Sequence, residues 1–120
     1  MKYITFFNRA LDIFNGCDTT GWDTYDAKPI SKLVISNTLS LFKMIPNNIQ
    51  IPNLIPNTDG TLQLEWTDRM MGFSIDISAT NIVHCFFKDE IDGNIFEKDI
   101  VLDDSIVPDD ILICLQHFKE

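Results

Sequence analysis

From Thr58 onward the chain changes period. Leu62, Leu64 and Trp66 alternate with Thr61, Gln63 and Glu65, and Met71, Phe73, Ile75 and Ile77 alternate with Met70, Gly72, Ser74, Asp76 and Ser78. Successive side chains of a strand point to opposite faces, so this alternation predicts two strands over about 61–67 and 70–78, each burying one face. Asp59-Gly60 is a tight-turn dipeptide before the first of them, and Thr67-Asp68-Arg69 is short enough to close a hairpin. Ala79-Thr80-Asn81 turns the chain into Ile82–Phe87, which is apolar on both faces apart from His84, as a central strand would be. Asp92-Gly93-Asn94 turns it again, so further strands are expected over about 82–88 and 94–102. Strands joined by such short links pair antiparallel, and their common apolar face must be covered by the rest of the chain.

The cover is legible on both sides of the strands. Tyr3, Phe6, Phe7, Ala10, Leu11 and Phe14 fall on one face of a helix over about 3–14, with Asn15-Gly16 as its stop. This aromatic stripe suits core closure, or else docking on a partner or a second copy. A second helix, about 32–45, starts at Ser31 as N-cap, with Ile30 and Ile35 placed as a hydrophobic staple, and runs through Leu39, Phe42 and Ile45 to Pro46. Pro52 and Pro56 forbid a central strand between Asn48 and Asn57 and favour a short edge segment or a strapped loop. A last helix, about 108–118, opens on Pro108, Asp109 and Asp110 and buries Ile111, Leu112, Leu115 and Phe118. At 120 residues one core suffices. The expected fold is a single α+β domain: an antiparallel four- to five-stranded meander with the N-terminal helices and the C-terminal helix packed on one face.

Charge narrows the partners. The net charge is −9, and the stretch from Asp89 to Asp110 holds Asp89, Glu90, Asp92, Glu97, Asp99, Asp103, Asp104, Asp109 and Asp110 against the single base Lys98. Such a field repels phosphates, which argues against direct binding of nucleic acid or an anionic membrane, and it attracts a basic protein. A solvated face that only keeps the chain dispersed is the plainer alternative. No apolar run is long enough to span a bilayer, and Asn8, Arg9 and Asp12 interrupt any signal-like segment, so a cytoplasmic location is expected. Cys17, Cys85 and Cys114 are too scattered for a disulfide framework or a zinc site, and neither His84 nor His117 has a second ligand at a metal-binding spacing. No metal and no cofactor is expected. Phosphate-cradling glycine loops and nucleophile-elbow motifs are absent, and His84 and Cys85, adjacent on a strand, point to opposite faces, so no catalytic residue is assigned.

One loop remains unexplained by this frame. Trp22-Asp23-Thr24-Tyr25-Asp26-Ala27-Lys28-Pro29-Ile30 places two large aromatics and two acids just before the second helix. The aromatics either lie down on the core with Asp23 capping backbone amides, or form with Glu65 and Trp66 a shallow aromatic and acidic pocket. Trp22, Asp23, Tyr25, Glu65 and Trp66 are then the candidate anchors for a ligand or for a partner's arginine. This loop, followed by Pro56-Asn57-Thr58-Asp59-Gly60-Thr61-Leu62-Gln63-Leu64-Glu65-Trp66, resembles a family of small bacterial proteins. Its members carry a Trp-Asp-Gly-Tyr-Gly-Ala-x-Pro-Ile loop and then a Pro-Thr-x-Asp-Gly-x-x-x-Leu-Glu-Trp hairpin. The resemblance covers about residues 20–88 and implies a bacterial or phage-related source and a compact α+β domain, but no reaction. Thr24 and Asp26 stand where the family pattern has glycines, so the loop here is shaped differently if those glycines take positive φ. Three functions are compatible with the chain. They are a non-enzymatic binding module of antitoxin, immunity or inhibitor type that holds a basic partner, a small-ligand or enzymatic site at the Trp22–Tyr25 loop, and a structural subunit that oligomerises through its first helix.

Overall fold

The computed structural model describes residues 2–23, 25–103 and 106–120. Helices α1 (Lys2–Cys17) and α2 (Lys32–Met44) precede β1 (Asn53–Pro56), β2 (Leu62–Asp68), β3 (Met71–Ile77), β4 (Ile82–Asp89) and β5 (Asn94–Val101). The chain then forms α3 (Asp109–Leu115), which tightens into a 3-10 turn over Gln116–Phe118. All strands lie antiparallel in chain order, β1-β2-β3-β4-β5, so the α+β meander is the fold of this protein. Among the described residues no helix is long and apolar enough to cross a membrane.

The alternation in the sequence becomes three rows across the sheet. Leu62 pairs with Ile77 and Ile77 with Val83, Leu64 with Ile75 and Ile75 with Cys85, and Trp66 with Phe73 and Phe73 with Phe87. All of these side chains are buried. Because pairing sets residues of one face opposite each other, a single register error would turn the whole apolar set outward, so the burial itself locks the register. Trp66 stacks on Phe73 with ring centroids 5.7 Å apart, and its indole N–H donates to the carbonyl of Gln50 at 2.8 Å, so the largest core side chain leaves no polar atom unmatched.

The helices cover this one face. On α2, Val34, Ile35, Thr38 and Leu41 are buried, and the Thr38 hydroxyl donates to the Val34 carbonyl within its own helix. Ser31 caps that helix by accepting from the Val34 N–H, and Asn37 donates to the carbonyls of Ser78 and Thr80, which ties the helix to the β3–β4 turn. Helix α1 lies against α2, with Phe6 fully buried and stacked on Phe42 at 3.9 Å. From α3 and its 3-10 turn, Ile111, Leu115 and Phe118 complete the core.

Helix α1 runs through the Asn15-Gly16 stop to Cys17. The reason is spacing: Cys17 continues the buried face of Phe6 and Ala10, and burying one more apolar side chain offsets the ~1 kcal/mol that a helical glycine costs. The same face leaves Leu11 and Ile4 exposed, although Leu11 belonged to the expected stripe. The Asn48–Asn57 segment supplies the edge strand β1, with Pro52 just before it and Pro56 at its end. Both chain ends are fastened beside it, where Gln50 N–H donates to Phe118 C=O, Glu120 N–H donates to Asn48 C=O, and the Lys2 ammonium meets Glu120.

Candidate functional site

The Trp22 loop is held from within. Asp23 Oδ1 accepts from the backbone N–H groups of Tyr25 and Ala27 at 3.0 and 3.2 Å, and the Trp22 indole N–H donates to the Lys28 carbonyl at 2.7 Å. The ring of Trp22 packs partly buried against the core, whereas Tyr25 is 82% exposed. Gly21, at φ 77°, returns an N–H to the Ala27 carbonyl, and a Cβ there would stand 2.9 Å from the Tyr25 carbonyl oxygen, so only glycine fits. Asp26 is exposed, and Thr24 lies outside the described residues.

The Trp22 loop and the turn before β2 meet in space. Lys28 N–H donates to the Thr58 carbonyl at 2.8 Å, and Gly60, at φ 90°, sits so that a Cβ would be 3.3 Å from the Pro29 carbonyl oxygen. Asp59 holds this turn by accepting from the N–H and hydroxyl of Thr61, bonds that keep its carboxyl below the usual range. Loop and hairpin turn therefore form one packed unit. Glu65 and Trp66, the other two candidate anchors, are not gathered around Trp22, Asp23 and Tyr25. Trp66 is buried in the core at 1% exposure, and Glu65, its neighbour on β2, points to the opposite face of the sheet.

Among the described residues no helix packs on that opposite face. Across it run two rows, Asn53–Glu65–Ser74–Phe86–Glu97 and Ile55–Gln63–Asp76–His84–Asp99, read in order from β1 to β5. His84 stands between two carboxylates of β5, with Nδ1 at 2.7 Å from Asp99 and Nε2 at 2.9 Å from Glu97. Two acceptors on the two ring nitrogens suit the doubly protonated imidazolium, so the His84 pKa is raised, chiefly by the hydrogen bond to Asp99, which burial opposes and the bond to Glu97 reinforces. Asp76 flanks His84 from β3, and partial burial raises its carboxyl above the usual value. The ring separates Asp99 from Glu97, so the three cannot converge on one ion. Among the described residues no group of three or more His, Cys, Asp or Glu is arranged to hold a metal.

Toward the β2–β3 hairpin the same face sinks into a shallow depression of about 350 Å³ walled by Glu65, Thr67, Arg69, Phe86 and Lys88. Its floor is Gly72, where an added Cβ would meet nothing within 4 Å. Arg69 at the hairpin tip takes a positive φ of 53°, a conformation that costs a side-chain-bearing residue about 1 kcal/mol or more.

The acidic stretch is partly committed to structure. Asp89 is buried and accepts from the N–H groups of Ile91 and Asp92, which shapes the β4–β5 turn. Glu90 pairs with Lys88 at 3.4 Å, and Asp110 on α3 pairs with Lys98 at 3.1 Å. Asp92, Asp103 and Asp109 are exposed, and Asp104 lies outside the described residues. Burial pushes the Cys85 thiol up to about 12 and the Cys114 thiol up to about 11, and the His117 ring packs against Phe87 at 5.1 Å. Both thiols thus stay protonated near neutral pH and are poor nucleophiles.

The His84 cluster and the depression were not among the sequence-derived candidates, because their members sit on strands whose register no single motif shows. The chain matches no protein-family model, no curated protein and no solved structure.

Two outcomes follow from this geometry. Asp23→Ala removes two backbone caps and lowers the unfolding free energy by about 1–2 kcal/mol in urea titrations, whereas Tyr25→Ala changes it by less than about 0.5 kcal/mol; the reverse ranking would contradict the capping role of Asp23. For His84 the folded pKa lies above the ordinary value of 6.5, so its contribution to stability is complete below that ordinary value. It is lost as pH rises through the folded pKa. The Tm difference between the parent protein and His84→Gln is therefore largest near pH 6 and shrinks by about pH 9. A difference that is flat or grows with pH would contradict the clamp.

Proposed function

We propose that this protein is a non-enzymatic acidic binding module that holds a basic protein partner on its helix-free sheet face and the adjoining β5 edge. The observation that carries this reading is the one-sided packing of the sheet: the helices of the described residues lie on the apolar face, and the other face presents Glu65, Asp76, Glu97 and Asp99. Lys88 and Arg69 moderate this charge at one end, and His84 moderates it between Glu97 and Asp99, yet the net charge of −9 leaves the field negative overall. A basic partner is steered toward such a surface before contact, and the half-buried Phe86 within it supplies an apolar anchor.

An inhibitor, immunity or antitoxin role in the cytoplasm suits this chemistry, since each of those acts by occupying a partner's surface rather than by turnover. The Trp22 loop is better explained as structure, because its indole N–H and the Asp23 carboxylate are already bonded to the loop's own backbone. The resemblance to small bacterial proteins implies no reaction that would favour an enzymatic reading.

The test is retention from a low-salt host lysate by the immobilised protein, compared with a Glu97→Gln, Asp99→Asn variant and followed by a salt gradient. The reading predicts that the parent retains a basic protein that leaves at moderate salt, and that the variant loses it. Equal retention by both, or retention that does not respond to salt, would contradict it.

A further inference from the structure

The two edges of the sheet are built differently. β1 is four residues long with prolines at 52 and 56, and a strand that short and that poor in N–H donors resists further pairing. β5 has eight residues without proline, and no described strand pairs with its outer side. An edge strand turns alternate N–H and C=O groups outward, which makes it a template for one more strand.

We propose that β5 accepts, as a sixth strand, an extended segment of the partner in which basic and apolar residues alternate. This inference rests on the basic-partner reading above and deepens it. Side chains of an added strand fall alternately on the two faces, and β5 offers each face a different environment. On the helix-free face the central neighbours are Glu97 and Asp99, flanked by the exposed Ile95 and Val101, with Asp76 two strands further in behind His84. Even when His84 is protonated, one positive charge meets three carboxylates there, so that face selects lysine or arginine. On the helical face lies a groove of about 260 Å³ between β5 and α3, lined mainly by Phe87, Phe96, Ile113, Cys114 and His117, with Asp110 also on its wall. Ile113 is 64% exposed at its rim, so an apolar side chain seated there removes surface from water on both partners. Lys98, the one base on β5, is turned to that helical side and paired with Asp110.

A second copy of the chain is the other conceivable occupant, and the charge pattern disfavours it. A two-fold axis normal to a continuous sheet pairs residues of the same face. The two registers that overlap β5 most fully then place Glu97 against Glu97, or Glu97 against Asp99 with Lys98 against Lys98. Like charges directly opposite destabilise a pair of strands. The edge thus carries a pattern that repels its own copy and attracts a basic strand.

The test uses the full chain and a fluorescent peptide of about ten residues alternating lysine and valine, long enough to cover β5. Two further versions are N-methylated at all lysines or at all valines, which blocks one backbone edge or the other and leaves every charge in place. Anisotropy titrations are expected to show binding of the parent peptide, a loss of about tenfold or more for at least one methylated version, and a similar loss for the parent peptide with the E97K/D99K protein. If both methylated peptides bind as tightly as the parent, strand addition is overturned while the basic-partner reading stands. If no basic peptide binds, including one with its lysines in a single block, both fall. A stable dimer of the free protein that E97K/D99K alters would give the edge to a second copy and overturn the proposal.

Discussion

The contact of Phe73 with Trp66 on one side and Phe87 on the other, and of the rows beside them with the helices, is the constraint on which the remaining structure depends. Burying one face of a meander is a large favourable term, about 1.5–3 kcal/mol for each large apolar side chain fully removed from water, and it cannot be satisfied by the sheet alone. The chain therefore spends its N-terminal and C-terminal segments on covering that face. Helix α2 supplies Val34 and Leu41, α1 closes over α2 through the Phe6–Phe42 stack, and Phe118 arrives from the far end. With the helices of the described residues on one side, no described element covers the other face, and what the chain places there is free to be polar and charged.

The same constraint explains the most conspicuous loop. Between α1 and α2 the chain must turn back toward the sheet, and it does so with Gly21 in the left-handed region, Asp23 capping two amides and Trp22 leaning on the core. The Lys28–Thr58 hydrogen bond and the close approach of Gly60 to Pro29 then join this turn to the start of β2. Two motifs far apart in sequence belong together because each buries or bonds what the other leaves open.

Strands were legible because their evidence is local. Period-two alternation and the turn dipeptides around Gly60 and Gly93 placed β2 to β5 within a residue of where they lie. Helix ends were less so: Gly16 read as a stop because propensity is local, while the burial of Cys17 that carries α1 past it depends on the packed fold. The candidate site was half legible. Asp23 as a cap follows from its own loop, but its aromatic neighbour Trp22 bonds a carbonyl, and no side-chain motif announces that. Trp66 and Glu65 sit side by side in the sequence and on opposite faces of β2. The His84 clamp was not legible in this way, since counting outward from the Asp92-Gly93 dipeptide sets residue 84 opposite Val101, whereas the four-residue turn over 90–93 sets it opposite Asp99 and residue 86 opposite Glu97.

The uncovered face and the β5 edge are two views of one surface, the side of the sheet that folding leaves unused. Hydrogen exchange of the free protein, followed amide by amide by NMR, examines that surface most directly. The account predicts that β3 amides are protected throughout, whereas on β5 protection alternates, slow where an N–H bonds β4 and fast where it faces outward. Uniform protection along β5 in the free monomer would mean that its outer edge is already covered, and would contradict the account.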